Sequence, residues 1–180
     1  MRKLKLAVHG NTDLRSSLIF LVGFMGAGKT TVGQVLAEAL GWRFADLDKA
    51  IERREGQMIR EIFEARGEAM FRQLEREAIA ACRGTSEAVI ALGGGAYVDE
   101  ANRALLREMG VTVWLDCPLE ICLSRISGDA ARPLLRSREE MAELFAERRQ
   151  AYALADWIVE TGDRSPAELV AEIIALLSLG

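Results

Sequence analysis

Histidine occurs once in this 180-residue chain, at His9 in the N-terminal stretch. With one histidine, neither a histidine-based metal site nor a Ser-His-Asp triad is expected. Cysteine is sparse as well: Cys82, Cys117 and Cys122 show no CxxC or other metal-type spacing. An odd number of cysteines in a chain that is not cysteine-dense reads as free thiols in a reducing cytosol. No apolar run reaches the roughly 18 residues of a membrane helix. The start, MRKLKLAVHGNTDLRSS, is basic but lacks a long apolar stretch, so no signal peptide is expected. Positive charge is in short supply too. The net charge is −4, and a broad nucleic-acid surface normally needs a basic stripe. These absences leave a cytoplasmic protein without nucleic-acid or membrane partners. A small anionic ligand held by a few clustered arginines remains compatible with them.

Half of the residues are hydrophobic and 28% are charged, an ordinary balance for a globular chain. The length suits one core-forming domain, here residues 18–180, preceded by an extension at 1–17 that is mobile or forms a short extra strand. LIFLVG (18–23) reads as a buried strand, and 29–40 as a helix with Gly41 as its C-cap. WRFADLD (42–48) fits a second strand. Residues 57–82 are helical with a break at Gly67. AVIAL (88–92), VTVWLD (111–116) and DWIVE (156–160) supply three more strands. Helices are expected at 101–109, at 118–126 with proline in its first turn, at 137–155 with Ser137 as N-cap, and at 165–179 with Ser165 as N-cap. Strands alternate with helices from end to end, with no internal repeat and no linker. The fold class is therefore α/β: a five-stranded parallel sheet between two helical layers.

The strongest local signal is GFMGAGKT at 23–30, which satisfies G-x-x-x-x-G-K-[ST] with a strand before it and a helix after it. Backbone N–H groups of Gly26, Ala27, Gly28, Lys29, Thr30 and Thr31 would surround phosphate oxygens. Lys29 would reach the β- and γ-phosphates, and the Thr30 hydroxyl would ligate Mg²⁺. A plain strand-to-helix glycine turn does not require the Lys-Thr pair. The NKxD motif of guanine-specific switches is absent, which favours ATP. Asp46 and Asp48 lie two apart at the end of the second strand. If the strand runs through both, they share a face toward the ligand crevice. One can hold Mg²⁺ through water; the other can orient an acceptor hydroxyl and take its proton. The alternative is a pair of solvated loop acids capping the next helix. Arg72 and Arg148 become binding groups only if they point into the crevice, where a guanidinium grips a carboxylate bidentately. Segment 127–138, with Arg132, Arg136 and Arg138, reads as a basic lid over the phosphates. A second glycine loop, VIALGGGAY at 89–97, has three consecutive glycines where one would make a turn. Gly93, Gly94 and Gly95 would leave a wall without side chains beside the acceptor.

GFMGAGKTTVG, FADLD, IFEARGEAMFRQLE, LGGGA, ARPLL and R-x-x-x-Y at 148–152 occur in the order found in shikimate kinases. The resemblance runs from about residue 18 to the end. It implies a nucleoside-monophosphate-kinase type of fold with a lid. The implied reaction moves the ATP γ-phosphoryl group to the 3-hydroxyl of shikimate in aromatic amino-acid synthesis, in a monomer. By the same resemblance Lys29 and Thr30 are phosphate and Mg²⁺ residues, and Asp46 holds the metal through water. Asp48 resembles the acid that binds shikimate hydroxyls and acts as base. Arg72 and Arg148 resemble the pair that grips the shikimate carboxylate, beside the glycine triplet. Arg132 resembles the lid arginine that reaches the phosphates, and Arg125 and the loop around Arg164 the adenine-side contacts. The pattern departs at Gln150, where the family commonly has proline, and Arg149 stands beside Arg148. The other readings are a kinase of another small hydroxy acid such as gluconate, and a non-catalytic nucleotide switch.

Overall fold

The computed structural model describes residues 18–126 and 137–177. The expectations for the 1–17 extension and for the 127–136 part of the lid, including Arg132 and Arg136, lie outside the described residues. Five strands form one parallel sheet: β1 (Leu18–Val22), β2 (Arg43–Asp46), β3 (Ala88–Ala91), β4 (Gly110–Asp116) and β5 (Trp157–Glu160), in the order β2-β3-β1-β4-β5. The seven described helices are α1 (Lys29–Leu40), α2 (Leu47–Glu55), α3 (Ile59–Ala80), α4 (Glu100–Met109), α5 (Leu119–Ile126), α6 (Arg138–Tyr152) and α7 (Pro166–Leu177). The five-stranded parallel α/β architecture is thus as expected from the strand–helix alternation.

β1 occupies the centre of the sheet. All five of its residues are at most 1% exposed, which is why LIFLV is apolar without alternation. Edge strand β2, with an exposed Arg43, can afford no such run. From β1 the chain passes over β3 to β2, and from β3 it passes over β1 to β4. Adjacent β1 and β3 therefore send their connections in opposite directions, which opens a crevice at their C-terminal ends. Both glycine loops emerge there: the one at 23–28 after β1 and the triplet at 93–95 after β3. The Leu92 N–H still bonds the Leu21 carbonyl at 3.0 Å, so the two loops leave the sheet side by side.

Capping signals locate most helix ends well. Gly41 closes α1 at φ 68°, with its N–H bonded to the Ala37 and Glu38 carbonyls. Ser137–Glu140 forms a capping box on α6, and Ser165–Glu168 pairs in the same way at the start of α7. Gly67, at φ 77° and ψ 171°, interrupts α3 at the expected break. Pro118 lies one position before α5 rather than in its first turn; its carbonyl accepts the Cys122 N–H at 3.1 Å.

The expected second strand is also too long. Strand β2 ends at Asp46, and 47–55 is a helix. Asp46 is its N-cap, accepting the Lys49 N–H at 3.2 Å, and Gly56 closes it at φ 66°. The alternation Phe44-Ala45-Asp46-Leu47-Asp48 mimics a strand through Asp48, but Leu47 and Ile51 are the buried i, i+4 pair of a helix. Asp48 is therefore a first-turn helix residue, and the shared strand face argued for the two acids does not exist.

Gly33 lets α1 lie close on the sheet. A Cβ there would sit 2.5 Å from Phe44 Cε2 and 3.1 Å from Leu21 Cδ1. Gly33→Val should lower stability by about 1–3 kcal/mol. The urea midpoint should fall with an unchanged m-value.

Candidate active site

The loop from Gly23 to Gly28 needs its glycines for backbone conformation. Gly23, Gly26 and Gly28 have φ of 140°, 78° and 91°. The Ala27 N–H bonds the Phe24 carbonyl at 3.2 Å and begins the turn into α1. Lys29 folds back over the loop, its Nζ donating to the Gly23 and Phe24 carbonyls at 2.8 and 2.9 Å. Thr30 and Thr31 follow in the first turn of α1, so N–H groups of this turn face the crevice edge with the helix N-terminus behind them. Thr30 Oγ1 donates to Asp46 Oδ2 at 2.8 Å. A hydroxyl and a carboxylate oxygen at a phosphate loop are hard donors of the kind Mg²⁺ takes, leaving room for the waters it retains. Asp46 also caps α2, so one carboxylate ties the phosphate loop to the helix that carries Asp48.

The triplet is built on a different principle. None of Gly93, Gly94 and Gly95 has a positive φ; Gly95 sits at −98°. Their role is space. A Cβ on Gly93 would lie 2.5 Å from Asp48 Oδ1 and 2.9 Å from Glu75 Oε1. One on Gly94 would lie 3.2 Å from an Arg148 guanidinium nitrogen, and one on Gly95 would fall on the Arg72 guanidinium. The same Gly94 position is 3.6 Å from the Met25 amide nitrogen in the phosphate loop. Two carboxylates and two guanidiniums thus converge on side-chain-free backbone against the nucleotide-type loop. Asp46 and Asp48 divide the crevice: the first turns to Thr30, the second to the triplet.

Local helix periodicity explains which arginine arrives. Arg148 and Tyr152 are i, i+4 on α6 and share a face. Tyr152, 1% exposed, donates its hydroxyl to the Gly94 carbonyl, and its burial holds the phenol above the usual tyrosine range. Arg148 lies 5.9 Å over the Phe24 ring. Arg149 turns the other way, to Asp116 at 2.7 Å and over Trp114 at 5.6 Å. Arg125 crosses the phosphate loop, 3.3 Å from the Gly26 carbonyl. The Arg164 guanidinium instead donates to the Glu160 and Glu168 carbonyls at 3.0 and 3.3 Å and pairs with Glu172. Those contacts tie it to α7.

Two residues escaped the sequence reading. Glu75 is 1% exposed and receives Arg72 at 2.6 Å, while Glu68 holds the same guanidinium from the other side at 2.9 Å. The i−4 and i+3 spacing around Arg72 on α3 was the available signal. Tyr152 stands in the R-x-x-x-Y motif, which by itself assigns it no role.

A family profile described as shikimate kinase matches residues 25–178. The chain belongs to the shikimate kinase family. It is 46% identical over 157 residues to a shikimate kinase of Persephonella marina, covering 87% of this chain and 96% of the other. A shikimate kinase of Geobacter sulfurreducens is 50% identical over 158 residues, covering 86% and 87%. The structure of shikimate kinase from Acinetobacter baumannii in complex with shikimate superposes with a TM-score of 0.87 at 38% identity, covering 92% and 94%. Membership makes the chain an ATP-using phosphotransferase, and neither the gluconate-type kinase nor the non-catalytic switch is favoured. Among the described residues no helix is long and apolar enough to cross a membrane.

Burial raises the Glu75 carboxyl above its ordinary 4.5, with Arg72 opposing and Asp48 reinforcing the shift. The native state then keeps this proton to higher pH than the unfolded chain does. Glu75 thus costs no stability below 4.5, and its cost grows as pH rises through the folded-state value. Stability should therefore fall less between pH 4.5 and neutrality in Glu75→Gln than in the wild type, read by denaturant midpoints. An identical pH slope would refute this.

Proposed function

We propose that the chain transfers the γ-phosphoryl group of ATP to the 3-hydroxyl of shikimate, giving shikimate 3-phosphate and ADP. The observation that carries this reading is the convergence of Asp48, Arg72 and Arg148 on the glycine triplet beside the phosphate loop. It is supported by family membership. Shikimate has one carboxylate and neighbouring ring hydroxyls. Arg72 and Arg148 suit the carboxylate, and Asp48 with the triplet backbone suits the hydroxyls. The acceptor is then held by its two ends next to Lys29.

In the reaction the acceptor oxygen forms a bond to the γ-phosphorus while the bond from that phosphorus to the β–γ bridging oxygen breaks. Asp48 accepts the hydroxyl proton. Lys29 and the N–H groups of residues 26–31 stabilise charge that shifts to the β-phosphate. Thr30, and Asp46 through water, would hold Mg²⁺, which would supply charge neutralisation at the phosphates. Arg125 covers the nucleotide side, and the role of a lid arginine toward the phosphates would fall to Arg132. Residues 18–180 act as one kinase domain, as a cytoplasmic monomer with no nucleic-acid or membrane partner.

ADP release measured with shikimate, gluconate and nucleoside monophosphates tests the reading. Stimulation by shikimate alone is expected; none by shikimate, with ATP bound, overturns it. Lys29→Ala should abolish turnover through lost phosphate positioning, and residual turnover near wild type would remove Lys29 from the mechanism. Arg72→Ala and Arg148→Ala should each weaken shikimate binding by about 2–5 kcal/mol, because each removes one partner of a charge pair. ATP affinity should persist in both, and Arg149→Ala should leave shikimate affinity nearly intact. Equal losses in the Arg148 and Arg149 variants would contradict the assignment.

A further inference from the structure

Two carboxylates of its own helix already hold the Arg72 guanidinium. Nη1 donates to Glu75 Oε2 at 2.6 Å. Nε and Nη2 both donate to one oxygen of Glu68, Oε1, at 3.3 and 2.9 Å. A guanidinium carries its five N–H donors in one plane, and along two edges a pair of them points the same way: Nε with Nη2, and Nη1 with Nη2. Those edges are where a carboxylate binds with both oxygens. The Nη1/Nη2 edge is closed by backbone. A Cβ on Gly95 would meet Nη1 first, then Nη2 at 2.7 Å and Cζ at 2.8 Å. A point nearer to both terminal nitrogens than to the carbon between them lies just off that edge, so the Gly95 main chain fills it. The Nε/Nη2 edge is left for a bidentate ligand, and Glu68 stands on it.

We propose that Glu68 is an internal competitor for the carboxylate subsite: it holds the Nε/Nη2 edge of Arg72 in place of the substrate carboxylate and is displaced when the acceptor binds. Glu68 competes in this way only if Arg72 receives the shikimate carboxylate, as proposed above. The two glutamates differ in what holds them. Glu75 is 1% exposed, and a Cβ on Gly93 would come within 2.9 Å of its Oε1, so it has no room to withdraw. Glu68 is 67% exposed and follows Gly67, whose φ of 77° and ψ of 171° interrupt α3. Its carboxylate can turn away from Arg72 into water at the start of the second helical half, where the positive end of that half favours it. A surface ion pair of this kind adds little stability, so an incoming carboxylate can replace it. The exchange trades one oxygen shared by Nε and Nη2 for two oxygens, one on each nitrogen. Glu68 therefore keeps affinity for the acid below what the same subsite would give without it.

Titration of the full chain with shikimate, followed by calorimetry, tests the competition. Glu68→Gln keeps the length of the side chain and removes its charge. It should bind shikimate about two- to fivefold more tightly than the wild type, the range that loss of an exposed ion pair allows. Removing a merely structural contact would not raise affinity. Glu64→Gln is the control. Glu64 lies four residues earlier on α3, is 64% exposed and pairs with Arg60, so the variant removes the same charge without touching Arg72. Its affinity for shikimate should match the wild type. In turnover the change in Glu68→Gln should fall on KM. Weaker or unchanged binding by Glu68→Gln overturns the competition, and so does an equal gain in Glu64→Gln. Failure of the wild type to bind shikimate would overturn the carboxylate role of Arg72, and the competition with it. That outcome is distinct from wild-type binding that Glu68→Gln leaves unimproved.

Discussion

The close approach of two loops at the β1–β3 crevice is the constraint on which the rest depends. The phosphate loop must run beside the triplet, with Met25 near Gly94, and four charged side chains must reach the triplet backbone. A Cβ at 93 or 95 would occupy volume already taken by a carboxylate or a guanidinium, and one at 94 would press on the Arg148 guanidinium at 3.2 Å. Three consecutive residues are therefore without side chains although none of them needs an unusual φ. In the phosphate loop the reverse holds, because Gly23, Gly26 and Gly28 are there for conformation. Two glycine-rich stretches that look alike in sequence answer two different physical demands.

Electrostatics in the crevice follow from that geometry. Arg72 sits between Glu68 and Glu75, so its guanidinium is positioned before any ligand arrives. Glu75 is nearly fully buried, so this ion pair is set up against a desolvation cost. Tyr152 holds the triplet from below through Gly94, and its neighbour one turn back, Arg148, is delivered by the same helix face. Asp46 joins the two halves of the site, since it meets Thr30 on one side and caps the helix bearing Asp48 on the other.

Much of the fold was legible because its signals are local. LIFLV is apolar throughout because a central parallel strand is buried on both faces. Gly41, Gly67, Ser137 and Ser165 mark helix ends through caps that involve only neighbouring residues. Helix α2 was not legible for the same reason. Its first residues continue the alternation of β2, and only the turn at Asp46 decides between the two periods. Within the site, Lys29, Thr30 and the glycines of 23–28 follow from a contiguous motif. Glu75 follows only in part: its i+3 place after Arg72 is visible along α3, but its burial comes from packing against the triplet 18 residues later.

By itself the sequence determined the parallel α/β class, the phosphate loop and the family, since each rests on periodicity or on ordered motifs along the chain. Only the tertiary structure decided that Asp46 and Asp48 separate, that Arg148 rather than Arg149 meets the triplet, and that Arg125 lies between Cys117 and the phosphate loop. The physical reason is direction: a pattern along the chain says which residues are present, but where a side chain points depends on which helix turn bears it and what packs opposite.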